Sequence, residues 1–232
     1  MSRSHSRISL LSFALAFFLL LNAPAAGQIF EEIYIVDSPT AGILPHGGYL
    51  FQGSVGPRSS LLFGVKIGFH DRLLLGVSFG LQDFIGRGDI SVNDKPGFEF
   101  RIRIIEEQVV GPALAIGIDT QGEDSYIESS ERYERKSKGF YAALSKNYEL
   151  LRDFSIHGGL NYSLETKDEK GINFFGGVSM EVVAGLSILL DYNAAIDDDD
   201  PDVRIRLADN PDVLSRPTRG RGYLDTGVCF NY

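Results

Sequence analysis

With one cysteine in 232 residues, Cys229, the chain can form no internal disulfide, and a lone thiol is a poor start for a metal site. Beyond residue 21 there is no uninterrupted apolar run near the roughly 18 residues a spanning helix needs, so no helical membrane passage is expected there. Basic residues are short as well: 22 Lys and Arg stand against 31 Asp and Glu, a net charge of -9. That balance disfavours nucleic acid or an anionic lipid surface as a partner. Glycine-rich phosphate cradles are missing in context, because Gly86-Arg87-Gly88 falls between predicted strands and does not precede a helix. No metal or other cofactor is expected.

The apolar residues that are present repeat with a period of two. In Leu61–His70 one face carries Leu61, Phe63, Val65, Ile67 and Phe69, and the other Leu62, Gly64, Lys66, Gly68 and His70. Leu73–Gln82 does the same, setting Leu73, Leu75, Val77, Phe79 and Leu81 against Leu74, Gly76, Ser78, Gly80 and Gln82. Tilted strands of this length cross a bilayer. The pattern predicts ten strands: Gly48–Val55, Leu61–His70, Leu73–Gln82, Phe98–Ile105, Ala113–Asp119, Phe140–Tyr148, Phe154–Glu165, Ile172–Val182, Leu186–Ala194, and a closing strand through Leu224, Thr226, Val228, Phe230 and Tyr232.

Connections alternate in kind. After the second, fourth, sixth and eighth strands they are short (His70–Arg72, Glu106–Gly111, Glu149–Asp153, Val183–Gly185); after the third, fifth and ninth they are long and polar (Asp83–Gly97, Thr120–Lys138, Ile196–Gly222). Gly56–Ser60 and Thr166–Gly171 fall in the same register as the long loops. An even strand number with short turns on one side and longer loops on the other is the plan of an all-β, antiparallel outer-membrane barrel, with short periplasmic turns and extracellular loops. A soluble sandwich or lipocalin-like barrel also alternates, but buries its apolar face. Here the non-bulky face is glycine-rich with scattered charges, which suits a narrow lumen.

The N-terminus fits export. Arg3 and Arg7 precede the apolar run Ile8–Leu21, and Ala23-Pro24-Ala25-Ala26-Gly27 offers small residues for cleavage. Residues 1–27 therefore read as a Sec signal, 28–46 as a periplasmic segment or plug, and 47–232 as the barrel. No cysteine stands at the end of the apolar run, which argues against lipid modification there. Removing residues 1–27 takes away two arginines, leaving 20 basic and 31 acidic residues and a charge of -11.

Several segments together resemble the outer-membrane barrel module of the YjbH type, associated with exopolysaccharide production. They are Asp37–Gly42 with Leu44-Pro45, Pro96–Glu99, Gly111–Gly117, Ala143–Tyr148 and Gly220–Val228. The resemblance implies an envelope component linked to export or assembly of surface polysaccharide. A small passive pore or structural outer-membrane protein is the alternative, and a secreted soluble ligand-binding barrel a third. Expected partners are the outer-membrane bilayer, the barrel-assembly machinery and a polysaccharide.

Particular residues follow from the pattern. Leu61, Phe63, Val65, Leu75, Val77 and Phe79 are expected to face lipid, and Val228, Phe230 and Tyr232 to carry the C-terminal assembly signal. Lys66, Glu99, Arg101, Arg103, Glu181, Asp191 and Asp225 are expected to face inward as an ion-paired network, since a lumen of about this size is largely filled by side chains. Asp191 or Glu181 would partner the arginines. A selective anion lining is the other reading of the same charges. Ser155, His157 and Asn161 share an inward face, but residues two apart on a strand lie about 6.5 to 7 Å apart, too far for direct hydrogen bonding, so catalysis is not expected. His46, His70 and His157 do not sit near the outer rim with paired carboxylates, as an aspartyl-protease-like barrel requires. The acidic run Asp197–Asp200 with Asp202 lacks the turn and spacing of a calcium loop. It reads, like Thr120–Lys138, as a solvated, self-repelling loop. Cys229 reads as a small inward-facing residue.

Overall fold

The computed structural model describes residues 31–55, 61–82, 91–92, 95–127, 131–149, 153–165, 171–183, 185–198 and 222–230. Thirteen strands are present among them, with no helix: β1 (Tyr49–Val55), β2 (Leu61–His70), β3 (Leu73–Gln82), β4 (Ser91–Val92), β5 (Gly97–Ile105), β6 (Ala113–Asp119), β7 (Glu123–Ile127), β8 (Arg132–Arg135), β9 (Gly139–Glu149), β10 (Asp153–Tyr162), β11 (Asn173–Val183), β12 (Leu186–Asn193) and β13 (Tyr223–Phe230). Ten of them form one antiparallel meander in the order β1-β2-β3-β5-β6-β9-β10-β11-β12-β13. Each pairs with the next of the ten along the chain; short links favour this for β1–β2, β2–β3, β5–β6, β9–β10 and β11–β12, while β3–β5, β6–β9, β10–β11 and β12–β13 pair across longer connections.

Two departures from the expected plan are visible. Among the described residues no ladder joins β1 to β13, so the sheet is not closed. Three short strands also occur where loops were expected: β4 extends the edge of β3, and β7 and β8 form a hairpin inside Thr120–Lys138.

The two faces of the meander have opposite chemistry, and the apolar one is outside. Phe63, Ile67, Leu75, Val77, Phe79, Phe98 and Phe100 are exposed, Phe98 by 56% and Val77 by 41%. Leu61 and Val65, on the same face, are half-buried. The opposite face holds Lys66, Glu99, Arg101, Arg103, Ser145, Ser155, His157, Asn161 and Asp191, all buried. Register explains how the polar face packs. Gly76 pairs with Lys66 on one side and Glu99 on the other, so the two charged side chains meet over a position without a side chain. Gly117 faces Arg101 and Tyr141 across the ladders, and a β-carbon there would overlap the Tyr141 ring.

Candidate functional site

The inner face is occupied by the residues that precede β1. Ile35 N donates to Ser38 O at 3.1 Å and Thr40 N to Ile33 O at 3.2 Å, folding residues 33–40 back on themselves with Val36 and Asp37 at the tip. Pro39 favours this turn because it locks its own φ and keeps Ser38 extended. We refer to residues 31–46 as the finger. Its base is fixed to β2: Gly47 N donates to Gly68 O and Gly68 N to Gly48 O, both at 2.8 Å. Gly68 is required here, since a β-carbon would overlap the carbonyl oxygens of Leu44 and Pro45.

Wall side chains hold the finger mainly by its backbone. Arg101, fully buried, donates through Nη1 to Ile33 O at 2.8 Å and Gly42 O at 2.9 Å, through Nε to Tyr141 Oη at 2.8 Å, and through Nη2 to Glu99 Oε1 at 2.7 Å. Lys66 bonds the other Glu99 oxygen and stands 3.9 Å from the centre of the Tyr34 ring, whose hydroxyl donates to Asp119 Oδ2 at 2.7 Å. Arg103 Nε donates to Ala41 O at 3.0 Å, and its terminal nitrogens pair with Glu31 and Glu106. Asp191 Oδ2 accepts the Asp37 and Ser38 N–H groups at 2.9 and 2.7 Å. A carboxylate taking two amide donors and a guanidinium giving to two carbonyls satisfy groups that burial would otherwise leave costly.

Ser145 and His157 complete the wall. Ala41 N donates to Ser145 Oγ at 2.8 Å, and His157 Nδ1 lies 2.8 Å from the same oxygen. His157 Nε2 is 3.3 Å from Glu32 Oε2, off the line of a hydrogen bond. Ser155 and Ser179 donate to Glu32. Burial would raise the Glu32 carboxyl, but His157 and these hydroxyls outweigh it and hold the group below the ordinary carboxylate range. Ser145, His157 and Glu32 thus form a chain of contacts, yet the finger covers Ser145 Oγ. Asn161 turns elsewhere, donating to Lys138 O at 2.9 Å.

At the finger tip the supposed solvated loops meet. Arg135 contacts Asp37 at 3.2 Å, Glu123 at 2.6 Å and Asp225 at 3.1 Å, and its guanidinium lies 4.1 Å from the Tyr223 ring centre. Arg132, only 2% exposed, pairs with Asp198, and Lys136 bonds Asp197 O. Glu165 accepts the Tyr133 and Ser137 N–H groups, both at 3.0 Å. These charges do not repel one another into water as expected, because Thr120–Lys138 supplies the cations that the acidic run needs. Asp199, Asp200 and Asp202 lie outside the described residues. Burial, followed by the neighbouring carboxylates of Glu123, Asp225 and Asp191, pushes the Asp37 carboxyl up to about 7 in spite of Arg135.

Of the seven inward charges expected from sequence, Lys66, Glu99, Arg101, Arg103 and Asp191 converge on the finger. Asp225 joins the Arg135 cluster instead, and Glu181 accepts Gly185 N at 2.8 Å at a short turn, apart from the rest. The expected pairing of the arginines with Asp191 or Glu181 does not occur. Arg101 takes Glu99 from its own strand together with main-chain carbonyls. Tyr141, Ser145, Asp119 and Arg135 were not singled out by sequence; Gly68 and Gly117, each opposite a crowding group, were the available signal. Phe230 belongs to β13, where it pairs with Leu186, Val228 is exposed on the outer face, and Tyr232 lies outside the described residues. Cys229 is half-buried, and Gly86–Gly88 lies outside the described residues. Both edges of the sheet reach the same tip. Gly227 of β13 lies beneath Val36, and a small cavity of about 80 Å³ beside Val36 and Asp37 is lined by Gln52 of β1, Tyr34, Lys66, Asp119 and Gln121. Comparison with protein-family models, with curated proteins and with solved structures returns no match.

Proposed function

We propose that this chain is a non-enzymatic outer-membrane β-barrel, exported by a signal over residues 1–27 and seated with its short turns in the periplasm. Its role is that of an envelope component linked to export or assembly of surface polysaccharide, the role implied by the resemblance to the YjbH-type module. The observation that carries the membrane reading is the inverted burial: Phe98, Phe79, Phe63 and Val77 are exposed while Arg101 and Asp191 are buried. Soluble monomers rarely expose a continuous apolar surface of more than a few hundred Å². In hydrocarbon the same surface is matched, and the unpaired edges of β1 and β13 have reason to join, because lipid offers nothing to hydrogen-bond with a free strand edge. Both edges already lie beside Val36.

The test is refolding into phospholipid vesicles, followed by heat-modifiable mobility on gels. Val77→Arg, at mid-strand between Val65 and Phe98, is expected to cost about 2 to 4 kcal/mol. A wild-type protein that is monomeric and soluble without detergent, or a Val77→Arg variant as stable in lipid as wild type, overturns the membrane reading. Deleting the gene in the source cell is expected to lower extracted surface polysaccharide; an unchanged yield removes that role and leaves the fold untouched.

A further inference from the structure

We propose that the finger is a displaceable occupant of the lumen, and that the barrel conducts small hydrated solutes when it withdraws. This rests on the membrane-barrel reading above. Among the described residues, three buried side-chain atoms make no well-aligned hydrogen bond: Ser38 Oγ on the finger, Asp191 Oδ1 on the wall, and His157 Nε2, which reaches only Glu32 Oε2 at 3.3 Å. All three lie on the seam between finger and wall. Buried polar groups are mostly paired with protein or water, and the concentration of these three on one seam makes it a place that water can enter and part. On the other side of the finger, towards β1–β3, a cavity already separates it from part of the wall.

The contacts point the same way. Along most of its length the finger is held by hydrogen bonds that water can replace. Its apolar packing is in small separate patches: Ile33, Ile43 and Leu44 around Leu74 with Tyr34 and Leu50 beside them, Ala41 against Ala113 and Ala115, and Ile35 and Val36 over Gly177 and Gly227. A hinge is present at the base, where Gly47 has a φ of 76° and a β-carbon there would meet nothing within 4 Å. Rotation at Gly47 would carry the finger out past the short turns, releasing the bonds of Gly47 to Gly68 and of His46 to Phe69 and Asp71 but leaving every strand paired.

The solute class follows from what is uncovered. Lys66, Arg101 and Arg103 stand against Glu99, Asp119 and Asp191, three cations to three carboxylates, on a wall otherwise rich in hydroxyls and amides. The two legs of the finger lie side by side at strand spacing, so the vacated space is roughly 10 Å across. Such a conduit takes hydrated ions of either sign and small neutral polar molecules, with little charge preference.

The experiment uses potassium chloride across planar bilayers holding the full chain. In a Cys229→Ser background, Ala41→Cys with Ser145→Cys places two thiols where Ala41 N now meets Ser145 Oγ, and free-thiol titration reports their closure. Reduced protein is expected to show intermittent conductance, abolished by oxidation and restored by reductant, with a reversal potential near zero in a salt gradient. Deletion of residues 31–42 is expected to raise mean conductance at least tenfold. Failure to insert into lipid, read by heat-modifiable mobility, defeats the membrane reading and this inference with it. Inserted protein that stays silent in the reduced and deleted forms alike, or that conducts equally when oxidised, overturns the finger gate and leaves the membrane reading standing.

Discussion

Replacing Arg101 with methionine keeps most of the side-chain volume and removes the charge at the centre of the polar wall. The structure sets the size of the effect. Arg101 is fully buried and serves Glu99, Tyr141, Ile33 O and Gly42 O at once. Breaking one partner out of a buried ion pair costs about 3 to 5 kcal/mol. Lys66 still partners Glu99 in the variant, which lowers that figure, while two finger carbonyls lose their donors, at about 1 to 3 kcal/mol each when left unsatisfied. The sum returns to about 3 to 5 kcal/mol. Urea titration in vesicles, scored by the folded gel band, measures it. Arg101→Met and Glu99→Gln together should lose about 1 to 2 kcal/mol less than the sum of the two single losses, because Glu99→Gln alone strands both Arg101 and Lys66 and the double variant strands only Lys66. An Arg101→Met variant within about 0.5 kcal/mol of wild type, the range of an ordinary surface change, refutes the buried-network reasoning. So does a double variant whose loss equals the sum of the single losses.

Three further outcomes are expected. Deleting Phe230–Tyr232 should leave export intact and block insertion, since β13 then loses its last pairing with Leu186; normal folded barrel in the outer membrane would remove the assembly-signal reading. Asp37→Asn should flatten part of the pH dependence of stability. The Asp37 carboxyl is raised to about 7 in the folded state, so the stability it contributes is full below its unfolded value of about 4 and is lost as pH rises towards 7. Above pH 7 the asparagine variant should therefore be at least as stable as wild type, and urea midpoints at pH 5 and 8 check it. Arg132→Met should free the Asp198 segment and speed tryptic cleavage between residues 120 and 138; cleavage at the wild-type rate would mean that the pair does not hold the hairpin.

Strand placement was legible because alternation with a period of two is a property of the strand alone. The bounds of β2, β3 and β6 agree with the sequence pattern residue for residue, and β10 and β11 differ only where their ends fray into loops. Closure was not legible, since alternation describes one strand at a time and leaves the meeting of the two edges open. The β7–β8 hairpin was missed because Arg132 and Arg135 find their partners in Asp198, Asp37 and Asp225, far away in sequence. Viewed locally, Glu131–Lys138 is only a charged stretch. Arg101 shows a different limit. Its inward direction follows from Phe100 and Ile102 on either side, but two of its acceptors are main-chain carbonyls, which no residue type announces.

The position of the finger in the chain also constrains the order of assembly. It is the first described part of the protein to be made, yet the groups that hold its tip come near the end: Ser38 N meets Asp191 153 residues later, and Glu32 meets Ser179 147 residues later. Closing such long loops is slow, because their entropy is lost before the contacts compensate. In a nascent chain the base of the finger finds Leu74, Arg101 and Arg103 early, but the N–H groups of Asp37 and Ser38 stay without their carboxylate until β12 is made. Late capture by β12 makes the finger tip a report on completion, since a sheet missing its last strands lacks the carboxylate that accepts the Asp37 and Ser38 N–H groups.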